Sequence, residues 1–321
     1  MARPDWMTGF LAQTVLAMAA ILCLPRQFHI MVVENSHPGD LRTARWVFPG
    51  YLALISLFVL PIAGAGALLL GDGVASDTYV LSLPLQRGDD GLALLAYIGG
   101  FSAATSMVIV STIALSTMLS NELVIPLLLR WQPMGLARGG DLSRLIKTVR
   151  RLSIVALLVL AYLYTRFFAG GGSLTSIGLL SFAAVLQFAP ALLGGLYWKR
   201  GTHQGVLAGL VAGFGVWGYA LMLPALLGPD APIVRDGPLG LSWLRPQGLL
   251  GIDWLDAVTH GTVWSLACNL LGYVLGSRWF AAGLRDHLHA VRFIGEAEPG
   301  ALPREAATGN ATVGDLRTLL E

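Results

Sequence analysis

The sequence predicts an all-α integral membrane protein, and three observations carry that expectation. Only 12% of the 321 residues are charged while 55% are hydrophobic, and the mean hydropathy is +0.66; soluble domains carry about 25% charged residues. Seven charge-poor runs, 7–24, 48–70, 91–119, 152–168, 174–197, 205–227 and 260–275, approach the ~20 residues that a helix needs to cross a hydrocarbon core of about 30 Å. Lys and Arg gather in alternate connections between these runs, as the positive-inside rule requires of a multi-pass chain. This composition excludes a cytosolic enzyme and makes membrane lipid a partner. The net charge of +2 is the difference of 21 basic and 19 acidic residues, so no polyanion-binding surface dominates and nucleic acid is not a partner.

The first run begins after Arg3 and Asp5. It is not read as a cleaved leader, because Leu22 precedes Cys23 and no A-x-A site with a polar mature region follows. The third run is the longest: between Gly91 and Leu129 only Glu122 is charged. That length predicts a long tilted helix and then a short one near the membrane surface, with Pro126 near the break. Arg166, near the end of the fourth run, is expected to snorkel to the headgroups. Glu122 is expected at a membrane boundary, where Arg130 is a candidate partner.

Connections rich in Lys and Arg follow the first run (Arg26, Arg42, Arg45), the third (Arg130, Arg138, Arg144, Lys147, Arg150, Arg151) and the fifth (Lys199, Arg200). The alternate connections are poor in them. Residues 71–90 hold Arg87 against four Asp, and residues 228–256 hold Arg235 and Arg245 against four Asp. An odd number of spans therefore places the N-terminus outside. The C-terminal region, with Arg278, Arg285 and Arg292, then lies in the cytoplasm beneath the plasma (inner) membrane. Trp46, Trp131, Trp198, Trp254 and Trp279 sit near run ends, as an interfacial aromatic belt predicts.

The expected organisation is a transmembrane domain over 1–279, a cytoplasmic linker over 280–311, and the opening of a further cytoplasmic domain over 312–321. Few charges precede the first run, and the amphipathic pattern over 313–321 stops in mid-course. Both features predict a piece of a longer protein.

Soluble-enzyme motifs for nucleotide, hydrolase and metalloprotease chemistry are absent, so no catalytic activity is expected of this chain. Cys23 and Cys268 lie inside apolar runs and predict neither a disulfide nor a zinc site. The six histidines, at 29, 37, 203, 260, 287 and 289, form no metal-ligand spacing, so no metal cofactor is expected. The third run is chemically the most informative, since residues 101–122 place small or hydroxyl side chains at nearly every turn. Two readings stay open. Small residues let helices approach closely in lipid; hydroxyl and carbonyl oxygens also suit a hard cation.

Three stretches then carry a resemblance. They are Pro25-Arg-Gln-Phe-His-Ile-Met-Val-Val33, Ser102 to Leu123 with its Ser120-Asn-Glu-Leu123 end, and Phe188 to Gly209 with Pro190 and Gly-Val-Leu-Ala-Gly209. Together they resemble the sodium/solute symporter family, whose fold is of the LeuT type. A narrower resemblance rests on Leu24-Pro-Arg-Gln-Phe-His29, Val32-Val-Glu-Asn35, Leu41-Arg-Thr-Ala-Arg-Trp46, Phe58-Val-Leu-Pro-Ile62, Ser116 to Leu123 and Thr312 to Leu320. These are similar to the membrane module of CbrA-type sensor histidine kinases.

The resemblance implies a LeuT-type transporter fold in which the first five runs form the second inverted repeat and the last two are peripheral. It implies a sodium site at Ala103 (backbone oxygen) and Ser106 (hydroxyl). Met107 falls where family members commonly have a second hydroxyl, and a thioether is a poor ligand for a hard cation. Thr105 is adjacent but points elsewhere on the helix. Substrate-facing candidates are Gln13, Thr14, Ser181 and Gln187, for which hydrogen bonding between helices is an equal alternative. The implied function is a solute transport or sensing module of a two-component sensor histidine kinase, for an amino acid such as histidine. A plain Na+-coupled symporter and an inactive membrane scaffold are the alternatives. Implied partners are the small nutrient, first-repeat helices and downstream kinase domains. With half of a shared site, the chain alone is expected neither to transport nor to catalyse.

Overall fold

A computed structural model describes residues 6–35, 37–71, 73–127, 142–167, 174–198, 200–228, 230–252 and 254–280. Regular structure among them is entirely helical. The helices are α1 (Trp6–Cys23), α2 (Pro25–Phe28), α3 (Pro38–Leu69), α4 (Tyr79–Gln86), α5 (Asp90–Met118), α6 (Leu142–Phe167), α7 (Leu174–Leu186), α8 (Ala189–Tyr197), α9 (His203–Trp217), α10 (Leu223–Leu227), α11 (Pro232–Arg235) and α12 (Ala257–Trp279). π-helical turns lie at His29–Val33, Leu119–Val124 and Gly218–Met222. The chain divides into two compact units, Met1–Cys23 with Leu179–Glu321, and Leu24–Gly178.

Each predicted run holds a helix, but not all are equally apolar. Gly39–Leu69, Asp90–Leu127, Leu174–Tyr197 and His203–Leu227 are long and apolar enough to cross a membrane. Met7–Cys23 with Pro25–Val33 adds a pair bent by 50°. α6 and α12, at the fourth and seventh runs, are long but more polar. α6 opens with a basic segment, and α12 carries several buried polar side chains.

In Leu24–Gly178, α3 begins at Pro38, where a missing N–H costs nothing in the first turn. It starts ten residues before the apolar run because Asp40, Arg42 and Arg45 occupy a helical extension. Arg45 lies 6.0 Å from the ring centre of Trp46. α4 leans on α3 through Tyr79, whose ring occupies the space that a β-carbon at Gly66 would need. Asp89 caps α5 by accepting the Leu92 N–H at 3.1 Å. Below α2, His29 Nε2 lies 3.3 Å from Glu34 Oε1 across the first π turn.

No break falls at Pro126 itself; the short helix expected after it lies outside the described residues. The helix that starts at Asp90 continues to Leu127, and residues 128–141 lie outside the described set. A π turn precedes Pro126 by two residues, and Ile125 N–H bonds back to Ser120 O. The loosened ladder gives room for a proline that lacks an N–H and crowds the preceding turn. The same arrangement recurs where the Gly218–Met222 π turn is followed by Pro224.

In the other unit, Leu16 and Ala19 of α1 pack with Ala183 and Leu186 of α7 and Leu221 of the third π turn. The indole N–H of Trp217 donates to Leu180 O at 3.1 Å. The closest packing is between α9 and α12. Gly205, Gly209 and Gly213 repeat every fourth residue on α9, opposite Gly272 and Gly276 of α12. A β-carbon at Gly276 would stand 2.9 Å from Gly205 Cα, and one at Gly272 would stand 3.0 Å from Gly209 Cα. The two backbones touch, as small-residue interfaces permit in lipid, where no hydrophobic effect drives helices together.

The connection from α10 to α12 folds into α11 and three 3₁₀ turns. The Tyr219 hydroxyl donates to Leu244 O. Leu250 adopts φ 58°, a left-handed conformation that is uncommon outside glycine and asparagine. Arg235 and Asp236 form an exposed ion pair at 3.2 Å, and the hydrogen bond and charge of Asp236 hold the guanidinium above its ordinary pKa.

Candidate functional site

Ala103, Thr105, Ser106 and Met107 all lie on an exposed stretch of α5. The Thr105 hydroxyl donates to Phe101 O at 2.8 Å, a bond within its own helix. Thr105 and Ser106 share a shallow, open groove with Ser102 and Ile109. Those four positions are spaced i, i+3, i+4 and i+7, so they form one helical face. Among the described residues, the groove is lined by α5 alone. Met107 is 57% exposed. Glu122 is exposed, while Arg130 lies outside the described residues.

The four substrate-facing candidates separate by burial. Gln13 and Thr14 on α1 and Ser181 on α7 are exposed, and the Thr14 hydroxyl is bonded to Phe10 O at 2.8 Å. Gln187 is wholly buried. It sits at the break between α7 and α8, near the middle of the apolar stretch Leu174–Tyr197. The cause is Pro190, which offers no N–H to Leu186 O and so interrupts the α-helical ladder. Here the backbone bonds shorten to Gln187 N–H to Ala184 O and Phe188 N–H to Val185 O.

Unpaired backbone in such an apolar setting costs several kcal/mol per group, and α12 supplies a partner. The Asn269 amide N–H₂ donates to Gln187 O at 2.7 Å and to Gln187 Oε1 at 3.0 Å. The Gln187 amide donates to Ser265 Oγ at 2.9 Å and to Ala183 O at 3.2 Å. Ser265 in turn donates to Thr262 O at 3.1 Å. Thr262, Ser265 and Asn269 fall at i, i+3 and i+7 on one face of α12. Thr262 is 4% exposed, and its hydroxyl has no hydrogen-bond partner among the described residues. Two residues before Thr262, buried His260 accepts the Leu249 N–H through Nε2 at 3.1 Å.

The glycines of α9 make this cluster possible. A β-carbon at Gly213 would come within 2.3 Å of Gln187 Oε1, and one at Gly209 within 2.8 Å of Asn269 O. Tyr273, one turn beyond Asn269, fills the space above Gly194 and Gly201 and meets Trp198 edge-on at 5.1 Å. The result is a neutral chain of amides and hydroxyls, bracketing a broken helix inside an apolar body. Such groups can hold a polar solute or pin a hinge by hydrogen bonding.

Sequence reasoning selected Gln187 but missed Ser265, Asn269, Thr262 and His260. The available signal was the glycine repeat at 205, 209 and 213, which marks close helix approach. Polar residues in the next apolar run at i, i+3, i+7 were its natural counterpart. In Leu24–Gly178, α3, α4 and α5 enclose an apolar pocket of about 420 Å³, with Arg87 and Asp89 at its edge. Among the described residues, no three His, Cys, Asp or Glu side chains gather as a metal site.

Over 229 residues, 70% of its length, the chain is 27% identical to the uncharacterized symporter YhjB of Bacillus subtilis (strain 168). The match spans 44% of that protein. No family model matches. No solved structure gives a significant match. The likeness, taken with the long apolar helices, describes a symporter-like, multi-pass α-helical membrane protein.

Proposed function

We propose that the chain is a solute transport and sensing module for a small nutrient, an amino acid such as histidine, within the membrane part of a sensor histidine kinase. Its helices then belong to a LeuT-type fold, with α1 to α8 as the second inverted repeat and the later helices peripheral. The observation that carries the transport half is the broken α7–α8 helix with its buried Gln187–Asn269–Ser265 network. Transporters of this kind place discontinuous helices and their freed polar groups at the bilayer midplane, where solute binds. The sensor half is supported by the sequence resemblance alone. A plain Na+-coupled symporter is the second reading, favoured by the likeness to a protein described as a symporter.

Radiolabelled amino-acid uptake and binding by the complete parent protein test the reading. Binding is expected in the wild type and to fall at least tenfold in Asn269→Ala, which leaves Gln187 O without its donor. Ser106→Ala separates Na+ coupling from its absence: a sodium-dependent wild type that loses sodium dependence supports a cation site at Ala103 and Ser106. Phosphoryl transfer to a downstream histidine that varies with the amino acid supports sensing. Transport without any kinase domain in the parent leaves the plain symporter. Neither uptake nor binding by the parent leaves an inactive scaffold.

The proposed orientation has the N-terminus outside and the C-terminus in the cytoplasm of the inner membrane. Single cysteines at Ser82 and Gly139 are then expected to label from opposite sides. Labelling from one side overturns that topology.

A further inference from the structure

The basic opening of α6 is left without a role by the transport reading. Lys147, Arg150 and Arg151 are spaced i, i+3 and i+4, so their side chains share one flank of the helix. Val149 and Ser153 are buried where α6 packs against α5 and the Leu119–Val124 π turn. Arg150 stands at the border of that packed face and is half-buried, whereas Lys147 and Arg151 are exposed. The Nε of Arg150 is buried and has no hydrogen-bond partner among the described residues. None of the three cations forms an ion pair among the described residues, and Glu122 on the neighbouring π turn forms none with them.

This arrangement is electrostatically unfinished. Like charges at i, i+3 and i+4 repel along a helix, and a buried donor of a charged group is costly to leave unmade. One phosphate answers both, because it accepts several charge-assisted bonds and matches the planar fork of arginine.

The helix also says where that phosphate comes from. After Arg151 no charge occurs until Arg166, so residues 152–165 give an uncharged length of about 21 Å. That is shorter than the ~30 Å hydrocarbon core. With this stretch in the bilayer, the basic turn is held at headgroup depth rather than in bulk water. We propose that Lys147, Arg150 and Arg151 form a binding site for the phosphate of an anionic phospholipid. The inference rests on α6 lying in the membrane and not on the transported solute.

The test uses the full chain in neutral detergent, with phosphatidylglycerol, phosphatidylcholine or inorganic phosphate added separately. Retained lipid is read by native mass spectrometry and stabilisation by thermal melting. Phosphatidylglycerol is expected to be retained and to raise the melting temperature, while phosphatidylcholine and inorganic phosphate do neither. Each cation near an anionic surface contributes about fivefold in affinity. The double variant Lys147→Gln, Arg151→Gln is therefore expected to bind phosphatidylglycerol roughly 25-fold more weakly.

Arg150→Gln is expected to lose at least as much as either single change, and Arg166→Gln to bind as the wild type does. Should Arg150→Gln fail to fold, the two exposed positions decide. Equal retention of phosphatidylcholine, wild-type binding by the double variant, or equal stabilisation by inorganic phosphate overturns the proposal. Cysteines at Val155 and Val159 check the placement separately, since labelling of both in vesicles by a water-soluble reagent removes α6 from the bilayer.

Discussion

Two sets of comparably apolar helices are finished in different ways. In Leu24–Gly178, only 6% of the apolar core of Gly39–Leu69 or of Asp90–Leu127 is buried within the protein, against 22% for His203–Leu227 in the other unit and for Leu174–Tyr197, which lies mostly in it. Apolarity does not make the difference, because lipid tails are as apolar as leucine and offer helices no reason to leave them. Shape and polarity do. α9 and α12 meet through glycines at backbone contact, and their interface encloses amides that have partners only if the helices stay together. α5 has Gly99 and Gly100 as well, yet among the described residues no atom beyond their own helical turn lies within 4 Å of where their β-carbons would be. A glycine in a membrane helix is therefore informative only where a neighbouring element comes close enough to need the space.

Substituting those glycines is the most severe way to break the comparison. Gly209→Leu places a branched side chain against Asn269 backbone, which cannot yield, and Gly213→Leu places one against the hydrogen-bonded side chains of Gln187 and Asn269. Overpacking of this kind costs about 1–3 kcal/mol and often more. Loss of monodisperse protein on size exclusion in detergent is expected for both. Gly99→Leu and Gly100→Leu on α5 are expected to run as wild type, and equal damage at both sets would erase the distinction.

Removing the polar bracket comes next. Asn269→Ala takes away both bonds to Gln187 and is expected to destabilise by about 1–2 kcal/mol in thermal or chemical denaturation. Thr105→Val, whose exposed hydroxyl bonds within its own helix, is expected to change stability by less than about 0.5 kcal/mol. Within Leu24–Gly178, Gly66→Ala is the sharper probe, because its methyl would enter the Tyr79 ring. A cost of about 1 kcal/mol is expected, read as greater protease access to the connection between α3 and α5. One further effect has the opposite sign. Leu250→Gly relieves a left-handed leucine that is 60% exposed, and a gain of up to about 1 kcal/mol is expected in the same melts.

The helices themselves were legible in the sequence, since charge-poor runs of membrane length leave few alternatives. Their starts were less so. α3 and α6 each begin ten residues before the corresponding run, because a helix carrying charges on one flank continues out of the apolar zone without losing its backbone bonds. The break at Gln187 had a visible cause in Pro190. Pro126 read the same way and was different, because a π turn upstream absorbs it. Proline alone does not reveal which remedy the chain adopts. Of the candidate site, Gln187 was recoverable as an isolated polar residue in an apolar run. Its partners Ser265 and Asn269 lie 78 and 82 positions away, beyond the reach of any local pattern.

The π turns also govern how the chain tolerates insertions and deletions. Each admits about one residue more than an α-helical turn, and one residue rotates everything downstream by about 100°. Deleting a single residue within Gly218–Met222 would return that turn to α-helical spacing and leave Pro224, now buried, on the face it already occupies. The same deletion in the middle of α9 would instead throw the glycine ladder out of phase. Length changes in this protein are thus cheapest where the helix is already one residue too long, and homologous chains are expected to place their alignment gaps at those turns.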